Sequence, residues 1–100
     1  MVERTLLIKA PLGLHARAAA KLVRVASEFH SQVLLRRADG SGGPNVSADA
    51  KSILSVLMLA AGHGTKLLAS AEGIDEDAAM NAVDQLFAEG FGEVEPESSR

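Results

Sequence analysis

The sequence predicts an α+β fold, an open-faced β-sandwich in which a four-stranded antiparallel sheet is covered on one face by three helices, in the order β-α-β-β-α-β-α. Three observations predict it. Apolar residues alternate at period two in "RTLLIKA", "SQVLLRR" and "TKLLASAEG", as in strands with one buried face. They recur at three- and four-residue intervals after Ala16 and again after Asp75, as in helices with one apolar stripe. A chain of 100 residues, 47% of them hydrophobic, suffices for one core and not for two, so strands and helices must share it.

Each element follows from local chemistry. Leu6 and Ile8 share one face of a strand over 3–10, which Pro11 and Gly13 end. Ala19, Leu22, Val23, Ala26 and Phe29 then line one side of a helix spanning 16–28. Val33 and Leu35 mark the second strand, and the turn-rich "ADGSGGPN" leads from it to a weak strand pattern in "VSADA", so the pair forms a hairpin with a long loop. Ser52 opens "ILSVLML", a run too short and too apolar to stand alone as a helix, which must lie on something and ends at "GHG". Leu67, Ala69 and Ala71 alternate in the last strand. Asp75 caps the final helix, whose stripe of Ala79, Ala82, Val83 and Leu86 stops before Gly90. The domain is expected to occupy 1–92, with "EVEPESSR" at 93–100 a disordered tail.

Composition removes several function classes. A net charge of −3, scattered Lys and Arg and only three Phe argue against nucleic acid as a partner. There is no Cys for a disulfide or thiolate site, and no apolar run approaches the roughly 20 residues of a membrane span. The first residues lack a signal-peptide pattern, so a cytoplasmic, soluble monomer without a cofactor is expected. His30 closes the first helix and His63 sits in "GHG", and with no acidic or Cys residue at a ligand spacing neither suggests a metal site. No catalytic triad is apparent, and Asp75, Glu76 and Asp77 are where a helix dipole favours acidic residues.

The stretch "PLGLHARAAAKLV" raises a more specific possibility. His15 falls just before a helix whose first N–H groups, on Ala16, Arg17 and Ala18, have no intrahelical acceptor, so that end attracts an anion. Arg17 adds a guanidinium able to grip two phosphate oxygens, and Gly13 lets the loop bend closely. A neutral imidazole here can attack phosphorus and leave the phosphoryl group among these donors. Spacing alone does not decide the matter, because a His at a helix start and a solvated Arg in the first turn are both ordinary.

The longer segment "APLGLHARAAAKLV" resembles the active-site segment of the HPr family, the histidine phosphocarriers of the bacterial phosphotransferase system. "ADAKSILSVLMLAAGHGTKLLASAEG" resembles the second signature of that family, and "DEDAAMNAVDQL" its final helix, so the likeness covers nearly the whole chain. The resemblance implies the same open-faced fold reached above. It also implies that His15 accepts a phosphoryl group at Nδ1 from phosphorylated enzyme I and passes it to a IIA protein or domain. Arg17 and the backbone of Ala16 and Arg17 then hold the phosphate. Such a protein is a substrate of enzymes, without turnover of its own.

Two departures stand out. Ala18 occupies the position where the family usually has Pro, which removes a preset φ from the first turn and no hydrogen bond. The loop "ADGSGGPN" is longer than is common in the family.

Ser52 in "KSIL" matches the serine that, in some lineages of the family, an HPr kinase/phosphorylase modifies, and it is equally an ordinary N-cap. Ile53, Leu54 and Leu57 cannot all face the sheet, so part of this run forms an apolar patch for partners, together with Ala20 and Arg24 on the first helix. The alternatives are a regulator of the nitrogen-type branch, a protein controlled mainly through Ser52, and an unrelated ferredoxin-like binding domain. The last would have no reason to place His and Arg at an anion-binding helix end.

Overall fold

The computed structural model describes residues 1–40 and 47–92. Strand β1 (Val2–Leu7) is followed by helix α1 (Ala16–Ala26), β2 (Gln32–Arg37), a short β3 (Ala48–Asp49), α2 (Ile53–Met58), β4 (Lys66–Glu72) and α3 (Glu76–Ala88), with a 3-10 turn at Gly90–Gly92. Among the described residues the strands form one antiparallel sheet in the order β1-β4-β2-β3, so the last strand lies between the first two. The expected four-stranded, three-helix open-faced architecture is the one observed. The expected tail at 93–100, and residues 41–46 of the hairpin loop, lie outside the described residues.

Period-two patterning sorts the sheet. Leu6, Val33, Leu35, Leu67, Ala69 and Ala71 are buried, while Glu3, Thr5, Gln32, Arg36, Lys66 and Glu72 are exposed on the other face. Onto the apolar face come Ala18, Ala19, Leu22 and Ala26 of α1, Val56 of α2, and Ala79, Met80, Val83 and Phe87 of α3. Phe91 completes the core, its ring edge-on to Phe87 at a centroid distance of 4.8 Å. The ammonium of Lys21 reaches across from α1 to donate to the Phe91 carbonyl at 2.6 Å.

Four local expectations need correction. β1 ends at Leu7 instead of continuing to residue 10, because the chain opposite becomes a turn, although Ile8 still donates to Thr65 O and accepts from Gly64 N–H. α1 ends at Ala26, two residues early, where Glu28 and Phe29 switch to tighter bonds on Val25 and Ala26 and Lys51 Nζ takes the Phe29 carbonyl at 2.8 Å. In α3 the buried stripe runs through Met80 and Phe87, leaving Ala82 and Leu86 half-buried.

Asp75 supplies the fourth correction. It occupies the N-cap position of α3, yet its side chain makes no cap hydrogen bond there. The carboxylate instead accepts from the His30 and Ser31 backbone N–H groups, each at 2.9 Å, and from the Ser31 hydroxyl. Ser31 is fully buried, and Gly73 is pressed against it so closely that a Cβ there would stand 2.6 Å from Ser31 Cα. The Ser31 hydroxyl and then the His30 N–H hold the Asp75 carboxyl at about 2, against an ordinary 3.8.

Because the folded value lies below the unfolded one, this stabilisation is complete above the unfolded value and is lost as pH falls through about 2. In denaturant titrations the stability gap between the parent and Asp75→Asn should be constant above about pH 5 and close between about pH 4 and 2. A gap that persisted undiminished to the acid limit would show that the ionised carboxylate is not what the three donors favour.

Candidate functional site

The chain reaches His15 through a loop held by backbone hydrogen bonds at Ile8, Ala10, Gly13 and Leu14. Gly13 N–H closes a turn on the Ala10 carbonyl at 2.9 Å, and Leu14 N–H donates to Ala61 O at 2.9 Å while its side chain is buried. Gly13 has φ +70°, and a Cβ on it would come within 2.6 Å of both Ala61 O and Gly62 Cα. The loop can approach the 61–62 backbone only because this residue is glycine.

His15 is the N-cap of α1. Its backbone is extended, with φ −76° and ψ −179°, and its carbonyl accepts the first helical bond from Ala19 N–H at 2.8 Å. Its Nδ1 accepts from Arg17 N–H at 3.3 Å, a long bond on a half-buried ring. An accepting Nδ1 carries no proton, so in the neutral ring the proton is on Nε2 and the Nδ1 lone pair faces the helix start. The first turn of α1 contains no acidic residue to compete for that positive end, and the Arg17 side chain is exposed. Ala18, where the resemblance implies Pro, lies in a helical first turn and is fully buried.

Ser52 is the N-cap of α2, its hydroxyl accepting from Ser55 N–H at 3.3 Å. α2 packs on α1 and β3, so the His15 and Ser52 segments belong to one side of the molecule. Ile53 and Leu54 are 43% and 66% exposed, whereas Leu57 is half-buried against the core. Ala20 is half-buried and Arg24 exposed, the latter in the last turn of α1, where a cation also suits the helix dipole.

Sequence reasoning missed several exposed apolar residues, among them Leu12, 75% exposed beside Gly13, and Met58, 74% exposed at the end of α2. Met58 follows Leu54 by four residues and so shares its helix face, a spacing that was legible. Leu12 gave no such signal. Among the described residues no group of three His, Cys, Asp or Glu side chains could hold a metal ion, and no helix is long and apolar enough to cross a membrane.

A small α+β domain that presents a histidine and an arginine together at a helix start has the form of a phosphoryl carrier. The family model described as "PTS HPr component phosphorylation site" matches residues 2–89. The phosphocarrier HPr of Cupriavidus necator is 47% identical over 95 residues, covering 95% of this chain and all of the relative. The phosphocarrier NPr of Escherichia coli is 38% identical over 92 residues, covering 92% and 97% of the two chains. The crystal structure of an HPr from Thermoanaerobacter tengcongensis superposes with a TM-score of 0.84 at 39% identity, covering 95% of this chain and all of that one. The chain belongs to the HPr family, and is a phosphocarrier protein of the phosphotransferase system and not an enzyme.

Proposed function

We propose that the chain takes a phosphoryl group from phosphorylated enzyme I onto Nδ1 of His15 and hands it to IIA proteins or domains in the cytoplasm. The observation that carries this reading is the lone pair of Nδ1 turned toward the Arg17 N–H at the start of α1. In the transfer, Nδ1 forms a bond to phosphorus while the donor's bond to phosphorus breaks, its electron pair leaving on the donor atom. The phosphoryl oxygens then take the place of Nδ1 as acceptors for the N–H groups of the first turn, Ala16 and Arg17, with the Arg17 guanidinium adding charge-assisted bonds. The ring returns to its capping bond when the group leaves.

The test is incubation with enzyme I and phosphoenolpyruvate. The expected product carries phosphate that is lost in acid and stable in alkali, as a phosphoramidate is; phosphate stable in acid, or none, overturns the proposal. Arg17→Ala should fold like the parent, since its side chain is exposed, and should transfer about 10- to 100-fold more slowly in a rapid-quench measurement. Equal rates would make Arg17 a solvated bystander.

The partner surface in this reading comprises Ala20, Arg24, Ile53, Leu54 and Leu57. A kinase acting on Ser52 would place its phosphate at the edge of that surface, beside the exposed Ile53 and Leu54, which is what favours a regulatory second site. Similarity to both HPr and NPr proteins leaves sugar-linked and nitrogen-linked relays as two branches for the same His15 chemistry. Transfer to IIA domains of each branch, measured side by side, distinguishes them.

A further inference from the structure

We infer that Arg37 is a positioning residue for the phosphoacceptor: its guanidinium fixes the turn at Leu59 and Ala60, and that turn sets the backbone from which the His15 loop hangs. This rests on the carrier reading proposed for His15. Each link is an observed contact. Arg37 Nη1 donates to the Leu59 and Ala60 carbonyls at 3.2 and 3.3 Å. The next carbonyl, Ala61 O, accepts from Leu14 N–H at 2.9 Å, and Leu14 is joined directly to His15.

The turn needs such a fixture. Leu59 is the C-cap of α2, and Ala60 follows it with φ +51°, the left-handed conformation that ends many helices and that glycine adopts far more readily than alanine. The Leu59 and Ala60 carbonyls lie past the last helical donor, and among the described residues no backbone N–H takes either of them. Arg37 satisfies both, and so opposes relaxation of Ala60 toward an ordinary φ. The guanidinium is itself held, with Asp39 Oδ1 at 3.6 Å from its Nε, and the end of β2 is pinned to β4 by Ala38 N–H donating to Lys66 O at 2.9 Å.

The opposite end of the loop has its own anchor. Gly64 N–H donates to Ile8 O at 2.8 Å and Ile8 N–H to Thr65 O at 2.9 Å, so β1 holds the side nearest β4 and Arg37 the side nearest α2. Between these two anchors there is little slack toward His15: a Cβ on Gly13 would already stand 2.6 Å from Ala61 O and from Gly62 Cα. Movement the other way stretches the Leu14 bond. The contact of His15 Nδ1 with Arg17 N–H is long at 3.3 Å, so a small displacement of the backbone before it changes where the lone pair points.

The test compares Arg37→Met, which keeps an apolar stem and removes the donors, with Arg37→Lys, which restores a donor, and with Arg37→Met combined with Ala60→Gly, whose glycine takes the left-handed φ unaided. All are measured well below their melting temperatures. In Arg37→Met the Leu14 amide should exchange with solvent about 10-fold faster relative to the core amides of Leu22 and Ala69. In single-turnover transfer from phosphorylated enzyme I, the limiting rate should fall about 3- to 30-fold while the half-saturating carrier concentration stays within about twofold of the parent's. Arg37→Lys and the double variant should recover most of both losses. An Arg37→Met that melts lower yet keeps the parent's limiting rate and Leu14 exchange ratio overturns the inference alone, since the parent still carries acid-labile phosphate. A loss that neither Arg37→Lys nor the added Ala60→Gly repairs overturns it as well. A parent that accepts no phosphate overturns the carrier reading and this inference with it.

Discussion

His15→Ala should abolish acceptance of phosphate from enzyme I while the chain keeps its fold. No other side chain at the start of α1 offers a nitrogen lone pair: Ala16 and Ala18 have none, and the Arg17 guanidinium is always protonated. Part of the structural cost falls at the cap. Losing the Nδ1 acceptor leaves the Arg17 N–H to water, and loss of an N-cap typically costs about 0.5–2 kcal/mol. The 3.3 Å bond and the nearby solvent place His15 at the lower end of that range. Labelling with phosphoenolpyruvate and enzyme I, read alongside a thermal melt, checks both halves. A folded mutant that still takes up acid-labile phosphate would move the acceptor to another residue and would remove the basis for the His15 site.

Ser52→Asp should weaken docking of enzyme I by about 1–3 kcal/mol, which is roughly a 5- to 150-fold loss in transfer at limiting carrier, if the new charge meets acidic partner groups partly desolvated. The substituted position adjoins Ile53 and Leu54, whose exposed side chains form the apolar part of the proposed interface, and α2 packs directly on the helix that bears His15 and Arg17. Stability should change little. Aspartate can replace the Ser52 hydroxyl as acceptor for Ser55 N–H, and an anion at a helix start is favourable, although Asp49 lies three residues back. The melting temperature should therefore stay within a few degrees of the parent. A salt series separates the causes: repulsion shrinks as ionic strength rises, whereas a defect indifferent to salt means the surface itself has been distorted. No defect at any salt concentration would reduce Ser52 to a cap.

The element order and the candidate phosphoacceptor were legible before any coordinates, because both rest on short-range physics. Alternation in 65–73 and three- and four-residue recurrence in 16–29 report which side of each segment is buried. A His just ahead of a helical run, with Arg two residues on, states its own proximity to free N–H groups, since the whole arrangement spans one turn. Capping by Ser52 was readable for the same reason, and its hydroxyl does accept within α2.

What the sequence by itself determined is thus the set of helices and strands, their buried faces and the local chemistry at His15, Arg17 and Ser52. Only the tertiary structure decided where side chains with a choice of partners would go. Asp75 had its own helix start within reach, but the turn after α1 brought His30 N–H and both Ser31 donors to it, and that stronger set of bonds took the carboxylate. The need for glycine at position 13 likewise comes from Ala61 and Gly62, nearly fifty residues later, whose backbone occupies the space a Cβ would fill. Contacts of that separation leave no trace in periodicity or spacing, because they exist only once the sheet brings β4 alongside β1 and carries the 60–64 loop against the loop that holds His15.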